Sequence, residues 1–319
     1  MRYFAPMICM LVSLILAGGL PADTLDVMFW NLENFFDYFD GGENPSDSEY
    51  SSFGKRHWSK KKFQAKCNSV AKTILWVADK EGRLPDVAGF AEVENAFVLR
   101  RLLQTTLLSK TDYRWVHFDS PDHRGIDVAL LYRRSLFSVE SARPVRVRGP
   151  DGEQLATRDV LTVVLETGEG ERVAFLVNHH PSKFGGKSSE WKRRAAVEAM
   201  NGAVDSLKGA GVCSIVAMGD FNDTPEKPLY EEIPLCNLGL PLAKKGQGSI
   251  RYGGKWELID LFFVDEDTAA DAEMEVLRVP FLMTRDNTHS GDKPFRTWQG
   301  PKYIGGTSDH CPVVLHVYR

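Results

Sequence analysis

From residue 25 onward the chain alternates short apolar runs with longer segments of helical spacing. LDVMFWNLEN is an apolar run that ends in polar groups, which is how a buried strand delivers its last residues to a surface. SKKKFQAKCNSVAKTILWVADK then has helical periodicity, with Ser59 as its cap and a basic outer face. DVAGFAEV predicts the next strand and NAFVLRRLLQTTLL the next helix. DVALLYRR, LTVVLE and RVAFLVNHH predict successive strands, the last two joined by the turn residues TGEGE. SSEWKRRAAVEAMNGAVDSLKGAG predicts a long helix closed by glycines, and CSIVAMGDFND, WELIDLFFV and PVVLHVY predict further strands. Early βα alternation followed by strand-rich segments implies a mixed α/β fold with two sheets, not a purely parallel one. The stretches 40–54 and 284–306 read as long surface loops, where binding contacts concentrate.

The strand ends carry the chemistry. NLEN, GFAEVEN, NHH, GDFND, ELID and SDH each follow or adjoin an apolar run. A phosphodiester repels nucleophiles with its charge and needs a proton for its leaving group, so a carboxylate-held metal with poised histidines suits its hydrolysis. Strand alternation would put Glu92 and Glu94 on one face, and likewise Asp220 and Asn222. Hard cations such as Mg2+ select carboxylate and carbonyl oxygens. Any one such pair also reads as an ordinary strand end or helix cap, and only the repetition favours a site. His179 and His180 end a strand and His310 follows Asp309, whereas His57, His117, His123, His289 and His316 lack such company and read as packed or surface residues. Asp260 is a candidate partner for His310, since a carboxylate fixes an imidazole's tautomer and raises its basicity.

A net charge of -4 argues against a protein that wraps duplex DNA by bulk positive charge, while leaving room for a local basic groove. Residues 1–22 have one early Arg, an apolar stretch and small residues before Asp23, the layout of a secretory signal peptide. The expected organisation is therefore a leader at 1–22 and a single domain at 23–319, exported to the periplasm or the exterior. That stretch is short for a spanning helix, so no stable membrane insertion is expected. Cys67, Cys213, Cys236 and Cys311 allow three pairings or buried free thiols, and none has zinc-site spacing.

In order along the chain, NLENFFD, AEVEN, NHHPSK, GDFN and SDHCPV resemble the endonuclease/exonuclease/phosphatase superfamily, the DNase I-like enzymes, and more narrowly its secreted bacterial members. The resemblance implies a four-layer α/β sandwich, two mixed β-sheets packed face to face with helices outside. It also implies a metal-dependent phosphoric ester hydrolase using Mg2+, with Mn2+ or Ca2+ as alternatives. Asn31, Glu33, Glu92 and Asp309 would lie at the metal, Glu92 as chief ligand. Asp220 and Asn222 would orient the attacking water and contact the phosphate. His310, oriented by Asp260, would be the general base or a phosphate-binding imidazole, and His179 would stabilise developing charge, with His180 in reserve. Glu33 stands where many relatives have Asp, so its longer arm is expected to reach the metal or a water of its shell.

The substrate expected is a nucleic acid, cleaved by a monomer without a protein partner. A phospholipid or inositol-phosphate hydrolase, and a non-catalytic binding protein of the same fold, are the competing readings. Lys183, Lys187, Lys192, Arg193 and Arg194 could form a phosphate-binding patch or a solvated helix face. Tyr252, Trp256, Trp298 and Tyr303 could stack bases, although packing is favoured for them.

Overall fold

The computed structural model describes residues 24–42, 44–183 and 186–318; the expected leader at 1–22 lies outside them. The chain begins with β1 (Thr24–Phe35), the short helix α1 (Pro45–Glu49), the long α2 (Lys60–Glu81), β2 (Val87–Val93) and α3 (Ala96–Thr105). There follow β3 (Tyr113–His117), β4 (Asp127–Arg133), β5 (Phe137–Val145), β6 (Val160–Thr167), β7 (Arg172–His179), α4 (Glu190–Gly209) and β8 (Ser214–Asp220). The last third holds β9 (Cys236–Asn237), the hairpin β10 (Ile250–Tyr252) and β11 (Lys255–Glu257), then β12 (Asp260–Val264) and β13 (Ala272–Val276). Two small ribbons, β14 (Met283–Arg285) with β15 (Asp292–Pro294) and β16 (Trp298–Gln299) with β17 (Lys302–Tyr303), precede β18 (Val313–Tyr318).

Two six-stranded sheets form, in the orders β13-β18-β1-β2-β4-β3 and β5-β6-β7-β8-β12-β9. Each is mixed, with β1 parallel to β2 in the first and β7 parallel to β8 in the second. Strand alternation explains how one strand serves two layers. In β1, Val27 and Phe29 enter the core shared with Phe175, Val177 and Met218 of the second sheet. Met28 and Trp30 point the other way, onto Phe63, Val70 and Ile74 of α2 and Val98 of α3. Val197, Met200 and Val204 of α4 cover the second sheet. Removing each such side chain from water stabilises by about 1.5–3 kcal/mol, and the result is the expected helix, sheet, sheet, helix sandwich.

Several local expectations differ from what forms. WELIDLFFV is two strands, β11 and β12, because the chain leaves the small hairpin at Leu258–Ile259 and joins the second sheet at Asp260. The stretch 284–306 is not only a surface loop: it folds into the two ribbons, and Thr297 and Trp298 are buried. Residues 40–54 include α1, whose cap is Asn44, and bury Asp47, Tyr50 and Ser51. The edge strands β3 and β5 give no clean alternation, and β5 shows solvent most of its length. Among the described residues Cys67, Cys213, Cys236 and Cys311 are free thiols, Cys67 and Cys311 buried.

Candidate active site

The polar runs meet at one end of the sandwich, and the two sheets contribute different halves. From the first sheet come Asn31 on β1, Glu92 on β2, and Asp309 and His310 just before β18. From the second come His179 on β7, Asp220 on β8 and Asp260 on β12. Register within the second sheet sets three of these at one level, since His179 and Asp260 both pair with Asp220 across the ladders.

Asn31 ties the halves together: its Nδ2 donates to Asp220 Oδ2 at 2.9 Å, and its Oδ1 accepts the Glu33 amide at 2.9 Å. Glu92 Oε2 accepts the Asn34 amide at 2.6 Å and lies 3.4 Å from the Arg124 guanidinium. Burial works against its charge, but Arg124, the Asn34 amide and His310 hold Glu92 below the ordinary carboxylate value. The other oxygen, Oε1, faces His179 Nε2 at 3.9 Å.

His310 Nδ1 donates to Asp260 Oδ2 at 2.7 Å, which turns Nε2 towards Asp220 Oδ2 at 3.8 Å and Asp309 Oδ1 at 4.0 Å. Burial disfavours its proton, yet Asp260, Asp220 and Asp309 together lift its pKa well above the usual histidine value. Asp220 goes the other way for a carboxylate: burial, reinforced by Asp260, pushes it up to about 7 against the opposing pull of His310. Its Oδ1 accepts the Asn222 amide at 2.9 Å.

His179, not His180, has its ring beside the carboxylates, with Nε2 3.7 Å from Asp220 Oδ2. Burial, with Arg158 and Arg124 adding, keeps His179 neutral by holding its pKa well below the usual value. The His180 ring instead packs on Phe221, centroids 4.6 Å apart, and burial drives its pKa to about 3.

Two paired expectations separate. Glu92 and Glu94 do not act from one face, because Glu92 has φ 61° and interrupts the pleat; Glu94 instead accepts the Asp37 amide at 2.6 Å. Asn222 at φ 53° likewise leaves the strand, and its Nδ2 donates to His180 O at 2.8 Å. Glu33, expected at the metal, grips the chain around β16: Oε2 accepts the Thr297 amide at 2.6 Å and Oε1 lies 3.4 Å from Arg296 Nε. Burial, then Asp309, pushes its pKa to about 7. Beneath it, buried Lys66 donates to Glu33 O at 2.5 Å and Thr297 Oγ1 at 2.9 Å.

Sequence reasoning missed the arginines. Arg158 donates to the carbonyls of His179 and His180 and to Asp122, and Arg296 bridges Glu33 and Asp309 Oδ2, 3.0 Å away. Nothing in their sequence neighbourhood marks them, because their partners lie on distant strands. Three residues of the proposed basic patch have acidic neighbours within the protein: Lys183 pairs with Glu257 and Asp223, Arg193 lies near Asp223, and Arg194 pairs with Glu232. Trp298 packs among Tyr50, Trp58 and Tyr303.

The model of the endonuclease/exonuclease/phosphatase family matches residues 26–319, a span that includes both sheets. The chain belongs to that family. It is accordingly a metal-dependent phosphoric ester hydrolase. No curated protein matches the sequence closely enough to report. Among solved structures, the human nocturnin catalytic domain with bound sulfate is 17% identical, with TM-score 0.56, covering 92% of this chain and 93% of that one. Bacteroides thetaiotaomicron mannosyl-6-phosphatase is 14% identical with TM-score 0.58, covering 91% and 98%. D. rerio TDP2 complexed with a single-strand DNA product is 13% identical with TM-score 0.57, covering 92% and 98%. At these identities the likeness is one of fold, the DNase I-like sandwich.

Proposed function

We propose that the protein is an exported phosphodiesterase that cleaves nucleic acid with a divalent ion, Mg2+ in the first instance. The observation that carries the reading is the buried His310–Asp260 pair facing Asp220 from one side while Glu92 faces the same space from the other. The residues suit a hard cation: Glu92 stays ionised with Oε1 turned inward, and Asn31 and Asp309 supply further oxygens. Held by Glu92 with Asn31 and Asp309, such an ion would supply Lewis-acid stabilisation of the phosphate's charge.

The chain's own groups divide the remaining work. Asp220, with a pKa near neutrality, takes the proton of the attacking water, the condition in which a general base is most effective. His310, kept protonated by Asp260, donates from Nε2 to a phosphate oxygen. His179 stays neutral and donates from its own Nε2 as charge develops. Asn31 holds Asp220 in place by its side-chain amide.

Nucleic acid is favoured over other esters by the β10–β11 hairpin. Ile250 bridges to His310, and two residues further along the same strand Tyr252 is 80% exposed, an aromatic face on which a base can stack. D. rerio TDP2, of the same fold, holds a single-strand DNA product. The leader at 1–22 supports export, which N-terminal sequencing of the mature protein tests. The substrate test is an assay with Mg2+ on plasmid DNA, single-stranded oligonucleotides, RNA, sphingomyelin and mannose 6-phosphate. Cleavage of a nucleic acid is expected. Intact nucleic acids with phosphate released from the sugar, or a headgroup from the lipid, would replace this reading.

A further inference from the structure

Away from the active site, at the junction of β3 and β4, His117, Asp119 and Asp127 each offer a ligand atom, and these atoms all lie within 4.8 Å of one another. Asp127 Oδ1 is used by Ser120, whose amide donates at 3.0 Å and whose hydroxyl also donates to it. Oδ2 is left facing His117 Nε2 across 3.5 Å. That nitrogen is buried and has no hydrogen bond, in a side chain only 4% exposed. Among the described residues, no lysine or arginine pairs with Asp119 or Asp127. Behind them Asp159, whose Oδ2 pairs with Arg146 and whose Oδ1 is buried without a partner, lines a small cavity together with Asp127. A buried carboxylate facing an imidazole nitrogen that has no hydrogen bond is costly unless a cation joins them.

We propose that His117, Asp119 and Asp127 form a second divalent-metal site, suited to a borderline ion such as Zn2+. One imidazole and two carboxylates fit Zn2+ with an open position better than the all-oxygen shell of Ca2+. An ion has a way in. Asp119, Ser120 and Asp127 also line an open cavity of about 410 Å3 whose other walls include Asp37, Asn44 and Asp47.

The site would act on the loop between β3 and β4. That loop carries Asp122, which binds Arg158 at 2.9 Å, and Arg124, which donates to Asn34 Oδ1 at 2.5 Å and faces Glu92. An ion at the loop's two ends therefore braces the groups that hold Glu92 ionised.

The test is calorimetric titration with Zn2+ of the wild-type protein, His117→Ala and Asp119→Asn, with thermal unfolding alongside. The active-site ligands are present in all three, so a difference in the number of ions bound reads this site. The wild type is expected to bind one more ion than His117→Ala, and Asp119→Asn to bind it at least about tenfold more weakly. Zn2+ should raise the midpoint of unfolding more in the wild type than in either variant. If His117→Ala does not fold, Asp119→Asn decides, since its side chain is 88% exposed and removable without loss of packing. Equal site numbers and affinities in the wild type and Asp119→Asn would overturn the proposal.

Discussion

Four residues of the site hold positive φ: Glu33 at 45°, Asn34 at 51°, Glu92 at 61° and Asn222 at 53°. Each such backbone costs about 1–3 kcal/mol and persists only where surrounding contacts enforce it. Here the contacts are identifiable: the Asn34 amide on Glu92, the Glu33 carboxylate on Thr297, and Lys66 on the Glu33 carbonyl. Glu33→Ala should therefore lower stability by about 1–3 kcal/mol in urea unfolding, by stranding a buried amide. Its Mg2+ affinity should change less than that of Glu92→Ala, a comparison a titration calorimeter makes directly. Asp220→Asn and His310→Ala belong to the chemistry instead. Each should reduce turnover by roughly 10²–10⁴-fold, the scale of a lost proton-transfer group, with circular dichroism unchanged. Activity near wild type in both would remove the assigned roles.

At the scale of elements, the antiparallel pair β1–β18 sets Asp26 directly opposite His316. His316 Nδ1 donates to Asp26 Oδ1 at 2.7 Å, and this hydrogen bond is the main reason its pKa is raised. For a raised histidine the stabilisation is full below the unfolded value of 6.5 and is lost as pH rises through the higher folded value. The stability difference between wild type and His316→Gln should thus be larger at pH 6 than at pH 9, by urea denaturation at both. A constant difference would mean the pair contributes through packing alone. The pairing also shows why a histidine distant from any acidic residue in sequence is not solitary in the fold.

For the whole molecule, the decisive contact is sheet against sheet, because Glu92 and His310 ride on one and Asp220 and His179 on the other. Gly89, in the middle of β2, packs directly on the other sheet: a Cβ there would lie 2.7 Å from Met218 Sδ of β8, and 3.2 Å from Phe29 Cδ2 on the neighbouring β1. Met218 can yield a little, so a small addition is tolerable and a large one is not. Gly89→Leu should cost about 1–3 kcal/mol by overpacking. It should also reduce activity out of proportion to Gly89→Ala, because the sheets can only separate by moving Glu92 away from His179. Thermal unfolding and turnover measured on both variants check this; a Leu variant with full activity would show that the halves of the site are not set by sheet packing.

The sequence by itself determined the sandwich and the residues that meet in it. Apolar alternation is a local property, so β1, β2, β4, β6, β7 and β8 and the helices α2, α3 and α4 were legible, as were the polar groups at the strand ends. Edge strands such as β5 were not, since one exposed face leaves little pattern. Tertiary structure decided which ends face each other. It chose His179 over His180 through ladder register, parted Glu92 from Glu94 by one positive-φ residue, and turned Glu33 onto the β16 ribbon. It also brought in Arg124, Arg158 and Arg296, and set His117 beside Asp127, because charge pairing acts over ångströms in space and is blind to separation along the chain.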